Sequence, residues 1–308
     1  MMKEFSGKVA LITGAARGFG KELALEAFHR GMRLLLADID EPELEKATSE
    51  LRQMGAEVVS FPVDVSLEAG VDAMVEECMA HYGQIDLLIN NAGVIMPGSV
   101  LDVPAQDWQW VFQVNCMAQV YAMKRVIPIM EQQGTPCHIV NVSSAAGLVC
   151  SGQMPAYSAT KHFSVSLTES VAMDLEERGS NVSISVFCPS FVQTNLHNSE
   201  RYRPKRFQNP EDPYYTSEAY RKYSKQIQLY IITGHPLKGI GAIVFKGIDE
   251  DQFYIYPHTE GKVLIKSRMS RILNGRKPDL KLFHAVFAYG AGDKSPSVLK
   301  IIRDALKS

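Results

Sequence analysis

Tyr157 and Lys161 stand four residues apart in Tyr157-Ser158-Ala159-Thr160-Lys161. On a helix that spacing puts a phenol and an ammonium on one face. An ordinary tyrosine titrates near about 10, too high for easy proton exchange at neutral pH, and a neighbouring cation favours its phenolate. The pair can therefore serve general acid–base chemistry, although Tyr and Lys at this spacing also describe many surface pairs. Two serines lie upstream at the end of an apolar run, in Asn141-Val142-Ser143-Ser144-Ala145-Ala146-Gly147. Either hydroxyl could stabilise charge developing on a reacting oxygen.

A second stretch, Thr13-Gly14-Ala15-Ala16-Arg17-Gly18-Phe19-Gly20, follows the first apolar run and opens a helical segment. A glycine-rich turn in that position lets backbone N–H groups and a helix N-terminus approach a pyrophosphate. Asp38 stands 20 residues after Gly18, at the end of the second apolar run. A carboxylate there can accept hydrogen bonds from both adenosine ribose hydroxyls and repels a 2′-phosphate. Loop and acid together predict dinucleotide binding.

The elements that must position these residues alternate along the chain. Val9–Thr13, Arg33–Ala37, Val58–Val63, Leu87–Asn90, His138–Ser143 and Val182–Phe187 read as short strands rich in Val, Ile and Leu. Phe19–Arg30, Pro42–Met54, Gly70–Tyr82, Ala105–Met130 and Tyr157–Arg178 read as helices between them. Leu237–Gly247 follows as a possible helix and Phe253–Tyr256 as a seventh strand. Strand–helix alternation predicts an α/β fold: a Rossmann-type, doubly wound parallel sheet with helices on both faces. With no linker inside 1–260, that span reads as one domain, 195–235 as an insertion and 261–308 as a C-terminal extension.

The glycine spacing is Gly-x-x-x-Gly-x-Gly rather than the commoner Gly-x-Gly-x-x-Gly. With the motifs that follow in order, the chain resembles the short-chain dehydrogenase/reductase family over about residues 6–194. The resemblance places Gly14, Arg17, Gly18, Phe19 and Gly20 in the phosphate loop, and Asp64 and Val65 beside the adenine. Asn91, Ala92 and Gly93, within Asn90-Asn91-Ala92-Gly93, would support sheet and cofactor, while Pro189 and Thr194 reach the nicotinamide end. Ser190 stands where the family usually has glycine. The family's serine lies 13 residues before its tyrosine, which selects Ser144 over Ser143. Asn115, in Val114-Asn115-Cys116, matches the fourth catalytic residue, which holds a helix kink and a water linking the lysine to solvent. The mechanism implied by the resemblance gives Tyr157 the proton exchange with the substrate oxygen while hydride passes to or from the nicotinamide. Lys161 would lower the tyrosine pKa and bind the nicotinamide ribose, and Ser144 would position the reacting oxygen. No metal is implied.

Asp38 argues for NAD and Arg17, able to pair with a 2′-phosphate, for NADP. The carboxylate lies against the ribose itself, so NAD is expected and NADP stays open. The 195–235 insertion carries Arg201, Arg203, Lys205, Arg206 and the tyrosines Tyr202, Tyr214, Tyr215, Tyr220 and Tyr223. It should form a lid, with Leu229, Ile231 and Ile232 either facing a fairly large or apolar secondary alcohol or ketone or packing within the lid. The arginines could meet an acidic substrate group or solvent. An NADPH-dependent carbonyl reductase and a dinucleotide-sensing protein with vestigial catalysis are the rival readings. Trp108, Phe112, Val120 and Met123 suggest surplus apolar surface on the long helices, which in the family form the interface of homodimers and homotetramers.

Composition excludes other classes. The 308 residues are 46% hydrophobic and 21% charged, which rules out disorder. A net charge of −2 provides no global field for nucleic acid. Five scattered cysteines without C-x-x-C, and an N-terminus without an apolar leader, lead us to expect a cytoplasmic protein with reduced thiols. The basic extension, including Lys262, Lys266, Arg268, Arg271, Arg276 and Lys277, shows no sustained amphipathic pattern, so membrane contact is not expected.

Overall fold

The short apolar runs form β1 (Val9–Thr13), β2 (Arg33–Asp38), β3 (Val58–Pro62), β4 (Leu87–Asn90), β5 (Cys137–Val142), β6 (Val182–Phe187) and β7 (Tyr254–Ile255). The computed structural model describes residues 2–258, 261–290 and 293–307. The strands make one seven-stranded parallel sheet in the order β3-β2-β1-β4-β5-β6-β7. Successive crossovers run outward from β1 in one direction and from β4 in the other. Between the carboxyl ends of β1 and β4 the sheet therefore leaves a crevice, the topological switch point at which doubly wound sheets bind ligands. Every residue of β1 and β4 is buried, as two-sided coverage by helices requires.

The helices α1 (Gly18–His29), α2 (Glu41–Gln53), α3 (Glu68–Tyr82), α4 (Ala105–Phe112), α5 (Ala118–Gln133), α6 (Pro155–Glu177), α7 (Glu218–Ile232) and α8 (Ile240–Asp249) follow in chain order. Leu23, Ala24 and Ala27 of α1 and Val244 and Phe245 of α8 build the core on one sheet face. Met74 of α3, Val126 and Met130 of α5 and Leu175 of α6 build the other.

Four expectations change. The helix expected over Ala105–Met130 is interrupted by a π-helical turn at Gln113–Met117, separating α4 from α5. Such a turn inserts one residue per turn and re-aims what it carries, here Asn115. The predicted last strand shrinks to two residues at the sheet edge, and the helix before it is shifted to Ile240–Asp249. Met123 faces the core rather than a partner, whereas Phe112 and Met173 are exposed. The extension has no elements assigned to it from the sequence. It folds as α9 (Lys262–Leu273), α10 (Leu280–Gly290) and α11 (Pro296–Lys307) around Val263, Leu264, Leu282 and Val286, with Val149 of the main body packed against them.

Candidate active site

The phosphate loop is held open by its neighbours. Thr13 Oγ1 accepts from the backbone N–H groups of Asn91 (3.0 Å) and Ala92 (3.1 Å). Asn91 Nδ2 returns two bonds, to the carbonyls of Thr13 (2.8 Å) and Gly14 (2.9 Å). The ends of β1 and β4 are thereby tied together under the crevice. Gly14 has φ +63°, and a Cβ there would fall 2.8 Å from Ala92 Cα. Arg17, the N-cap of α1, makes no side-chain capping bond, so the first-turn N–H groups have no side-chain cap competing with an anion. Gly20 does not line the cleft; it lies beneath the loop, where a Cβ would meet the Gly14 carbonyl at 2.1 Å. Its glycine character serves close packing rather than contact.

Asp38 is fixed at the end of β2. Its carboxylate accepts from Ala16 N and from Asp40 N, each at 3.0 Å. Burial pushes its pKa up, and these two N–H groups oppose the shift by stabilising the anion. Arg17 is already occupied: it pairs with Asp40 at 2.7 Å and Glu43 at 3.4 Å. Asp64 accepts from Ser66 N (3.0 Å) and is paired with Arg206 of the lid at 2.6 Å. Val65 beside it is buried.

At the other end of the cleft the two serines separate. Ser143 Oγ donates to the Lys161 carbonyl at 2.8 Å and is buried, tying β5 to α6. Ser144 caps a short 3-10 turn over Ala145–Gly147, its Oγ accepting from Ala146 N at 3.1 Å. Its hydroxyl also donates to the Pro189 carbonyl at 3.4 Å, and its nearness to Tyr157 pulls the phenol pKa down against burial. Burial nevertheless dominates and pushes Tyr157 up to about 12. Lys161 Nζ donates to the Val142 carbonyl at 2.9 Å and lies 5.6 Å from the Tyr157 ring centre. Burial pushes the Lys161 pKa down to about 8.

Asn115 is fully buried and does not line the cleft. Its Oδ1 accepts from Val94 N (2.8 Å), and its Nδ2 donates to Val94 O (2.9 Å) and Thr160 Oγ1 (3.0 Å). The π turn aims it to staple the segment after β4 onto α6, one residue from Lys161. The remaining predicted residues, among them Gly18, Phe19, Gly93, Pro189 and Thr194, line one continuous cleft of about 1700 Å³ including its open mouth.

Beyond Tyr157 the cleft becomes apolar. Ile95, Met154, Ile227 and Ile231 form a buried cluster with Tyr157, flanked by Phe191 and Leu196. Ile227 and Ile231, four apart on α7, face inward; Leu229 and Ile232 point to solvent, contrary to the expected wall. Two of the lid arginines have partners within the protein, Arg206 with Asp64 and Arg203 with Asp107. Arg203 is buried against Asp107 and Tyr215 and stacks 4.5 Å over Trp110. Phe283 of α10 also lines the cleft. Ile95, Met154, Ile227 and Phe283 were not singled out from the sequence. The i, i+4 spacing of Ile227 to Ile231 carried a signal, while Phe283 sits 122 residues after Lys161 and carried none.

Gly14, the uncapped α1 terminus and Asp38 fit a dinucleotide running from the switch point toward Tyr157 and Thr194. Fold and site thus define a dinucleotide-binding α/β protein. The chain belongs to the short-chain dehydrogenase/reductase family: a short chain dehydrogenase model matches residues 8–205. It is 47% identical over 286 residues to a CLA biosynthesis dehydrogenase/reductase of Lactiplantibacillus plantarum, covering 92% of this chain and 100% of the relative. It is 29% identical over 281 residues to a C alpha-dehydrogenase of Sphingobium, covering 90% and 89%. A short-chain dehydrogenase/reductase from Burkholderia phymatum in complex with NAD superposes with a TM-score of 0.87 at 38% identity, over 90% of this chain and 98% of that one. The protein is an NAD(P)-dependent dehydrogenase/reductase acting on alcohol or carbonyl groups. Among the described residues no helix is long and apolar enough to cross a membrane, and no cluster suits a metal ion.

Proposed function

We propose that the protein interconverts a secondary alcohol and its ketone, of appreciable size and apolar character, with NAD(H) as preferred cofactor and Tyr157 as general acid/base. The observation that carries this reading is the position of Tyr157. It lines the same cleft as Ser144, Lys161 and the glycine-rich loop, and its ring belongs to a buried apolar cluster with Ile95, Met154, Ile227 and Ile231. A bound nicotinamide supplies the hydride donor or acceptor. Burial keeps the phenol protonated, the state needed to donate to a ketone oxygen, and the same oxygen takes the proton back in alcohol oxidation. Ser144 offers its hydroxyl to the developing alkoxide. Lys161, anchored on Val142 O, holds its ammonium beneath the site, and Asn115 positions α6 through Thr160.

The NAD preference rests on Asp38 and on the engagement of Arg17 by Asp40 and Glu43. The relative named for CLA biosynthesis supports an apolar substrate. Residues 1–260 carry the cofactor-binding and proton-exchanging residues with 195–235 as lid, α10 adds Phe283 to the cleft, and exposed Phe112 and Met173 on α4 and α6 fit a homodimer or homotetramer contact. Tyr157→Phe tests the central claim: NADH binding by fluorescence stays at wild-type strength while ketone turnover falls roughly 10²–10⁴-fold. Turnover within about three-fold of wild type would refute the role of Tyr157.

A further inference from the structure

We propose that the hairpin joining α9 to α10 docks the protein on an anionic lipid surface. Residues 261–308 hold eleven Lys and Arg against three Asp and Glu, a net +8 that leaves −10 on the other 260 residues. The extension is thus a cationic module on an anionic body. Its apolar residues do not all face inward. Val263, Leu264, Leu282 and Val286 form the extension's core, while Met269, Ile272, Leu273 and Leu280 point outward, Leu273 at 83% and Leu280 at 64% exposure. Met269, Ile272 and Leu273 occupy i, i+3 and i+4 of α9, hence one face.

The turn between the helices is ordered. Arg271 donates to the Lys277 carbonyl at 2.9 Å and pairs with Asp279, which itself accepts from Leu282 N at 3.0 Å. Asp279, the acid nearest the tip, is therefore neutralised, and Arg276, Lys277 and Lys281 remain exposed around the leucines. Solvated apolar side chains ringed by cations match the acyl boundary and headgroups of an anionic bilayer. A second copy meeting this hairpin through its own would set one +8 extension against another, whereas an anionic lipid surface is charge-complementary to it.

The hairpin is also continuous with the cleft. Leu280 is exposed, and Phe283, one turn further along α10, lines the cleft. Docking would bring the cleft mouth to the bilayer, where an apolar alcohol or ketone resides. That consequence rests on the proposed substrate class; the docking itself does not.

The test is co-sedimentation of the full chain with vesicles, which requires no turnover and so fails or succeeds independently of the proposed reaction. Wild type should sediment with equimolar phosphatidylglycerol–phosphatidylcholine vesicles and stay in solution with phosphatidylcholine alone. At about five-fold per cation, Arg276→Gln/Lys277→Gln/Lys281→Gln should weaken binding roughly 100-fold. Leu273→Asp/Leu280→Asp should abolish it. Both variants should keep NADH affinity and melting temperature, since the substituted side chains are exposed. The proposal is overturned if wild type ignores anionic vesicles, or if either variant binds them as wild type does. It is equally overturned if Leu273→Asp/Leu280→Asp lowers the oligomeric mass in sedimentation velocity, because a second copy then covers this face.

Discussion

Replacing Asp38 by asparagine probes how the site chooses between NAD and NADP. The Asp38 carboxylate is held by two backbone N–H groups at 3.0 Å and cannot swing away from a ribose hydroxyl. A phosphate on that hydroxyl would bring at least one negative charge to roughly 5 Å, and at an effective dielectric of about 20 the repulsion is about 3 kcal/mol. Arg17 could offset this only if its charge were available. Asp40 at 2.7 Å and Glu43 at 3.4 Å already neutralise it. Asp38, Asp40 and Glu43 against Arg17 leave the ribose end at −2. Wild type should therefore favour NAD over NADP in kcat/KM by about 100-fold, and Asp38→Asn should erase most of that ratio. Asp40→Asn/Glu43→Gln should release Arg17 and raise NADP use by about ten-fold, as removal of a close ion pair permits. Initial rates with both cofactors on one substrate measure all three. A wild-type ratio near unity, or a ratio unmoved in a folded Asp38→Asn enzyme, would refute the electrostatic argument.

The lid should depend on its buried ion pair: Arg203→Leu strands Asp107 in the interior and should cost about 3–5 kcal/mol locally, seen as faster proteolysis within 195–217. Ile231→Ala should lower kcat/KM for an apolar ketone by about ten-fold, while exposed Leu229→Ala leaves it unchanged; equal effects would disprove the assigned faces of α7. Burial holds His138 down to about 3 from an ordinary 6.5, so the unfolded chain binds a proton in that window that the folded chain does not. Stability should therefore fall as pH drops from 6.5 toward 3, and His138→Gln should flatten the slope by about one proton in denaturant titrations.

The motifs that sit on single elements were legible in the sequence. Gly14 and Gly18 follow β1 because the turn takes positive φ there, Gly20 because the loop packs directly on it, and Asp38 ends β2 because the crossover returns the chain beside β1. Their positions follow from strand–helix alternation alone. The Ser143 and Ser144 pair was not decidable locally. Adjacent residues at a strand end point to opposite sides, and only the packing of α6 shows that Ser143 bonds Lys161 O. Arg203 and Arg206 looked like solvated charge because their partners, Asp107 and Asp64, lie 96 and 142 residues away.

The sequence by itself determined the sheet and placed the glycine-rich loop and the Tyr157–Lys161 pair on their elements. Those depend on periodicity and on short-range spacing. The tertiary structure decided what depends on contacts between distant segments. It showed that Arg17 is paired with Asp40 and Glu43, that burial raises the Tyr157 pKa, and that Phe283 of α10 lines the same cleft as Tyr157. A charge or an apolar side chain acquires its role from what surrounds it, and one-dimensional spacing records only its nearest neighbours.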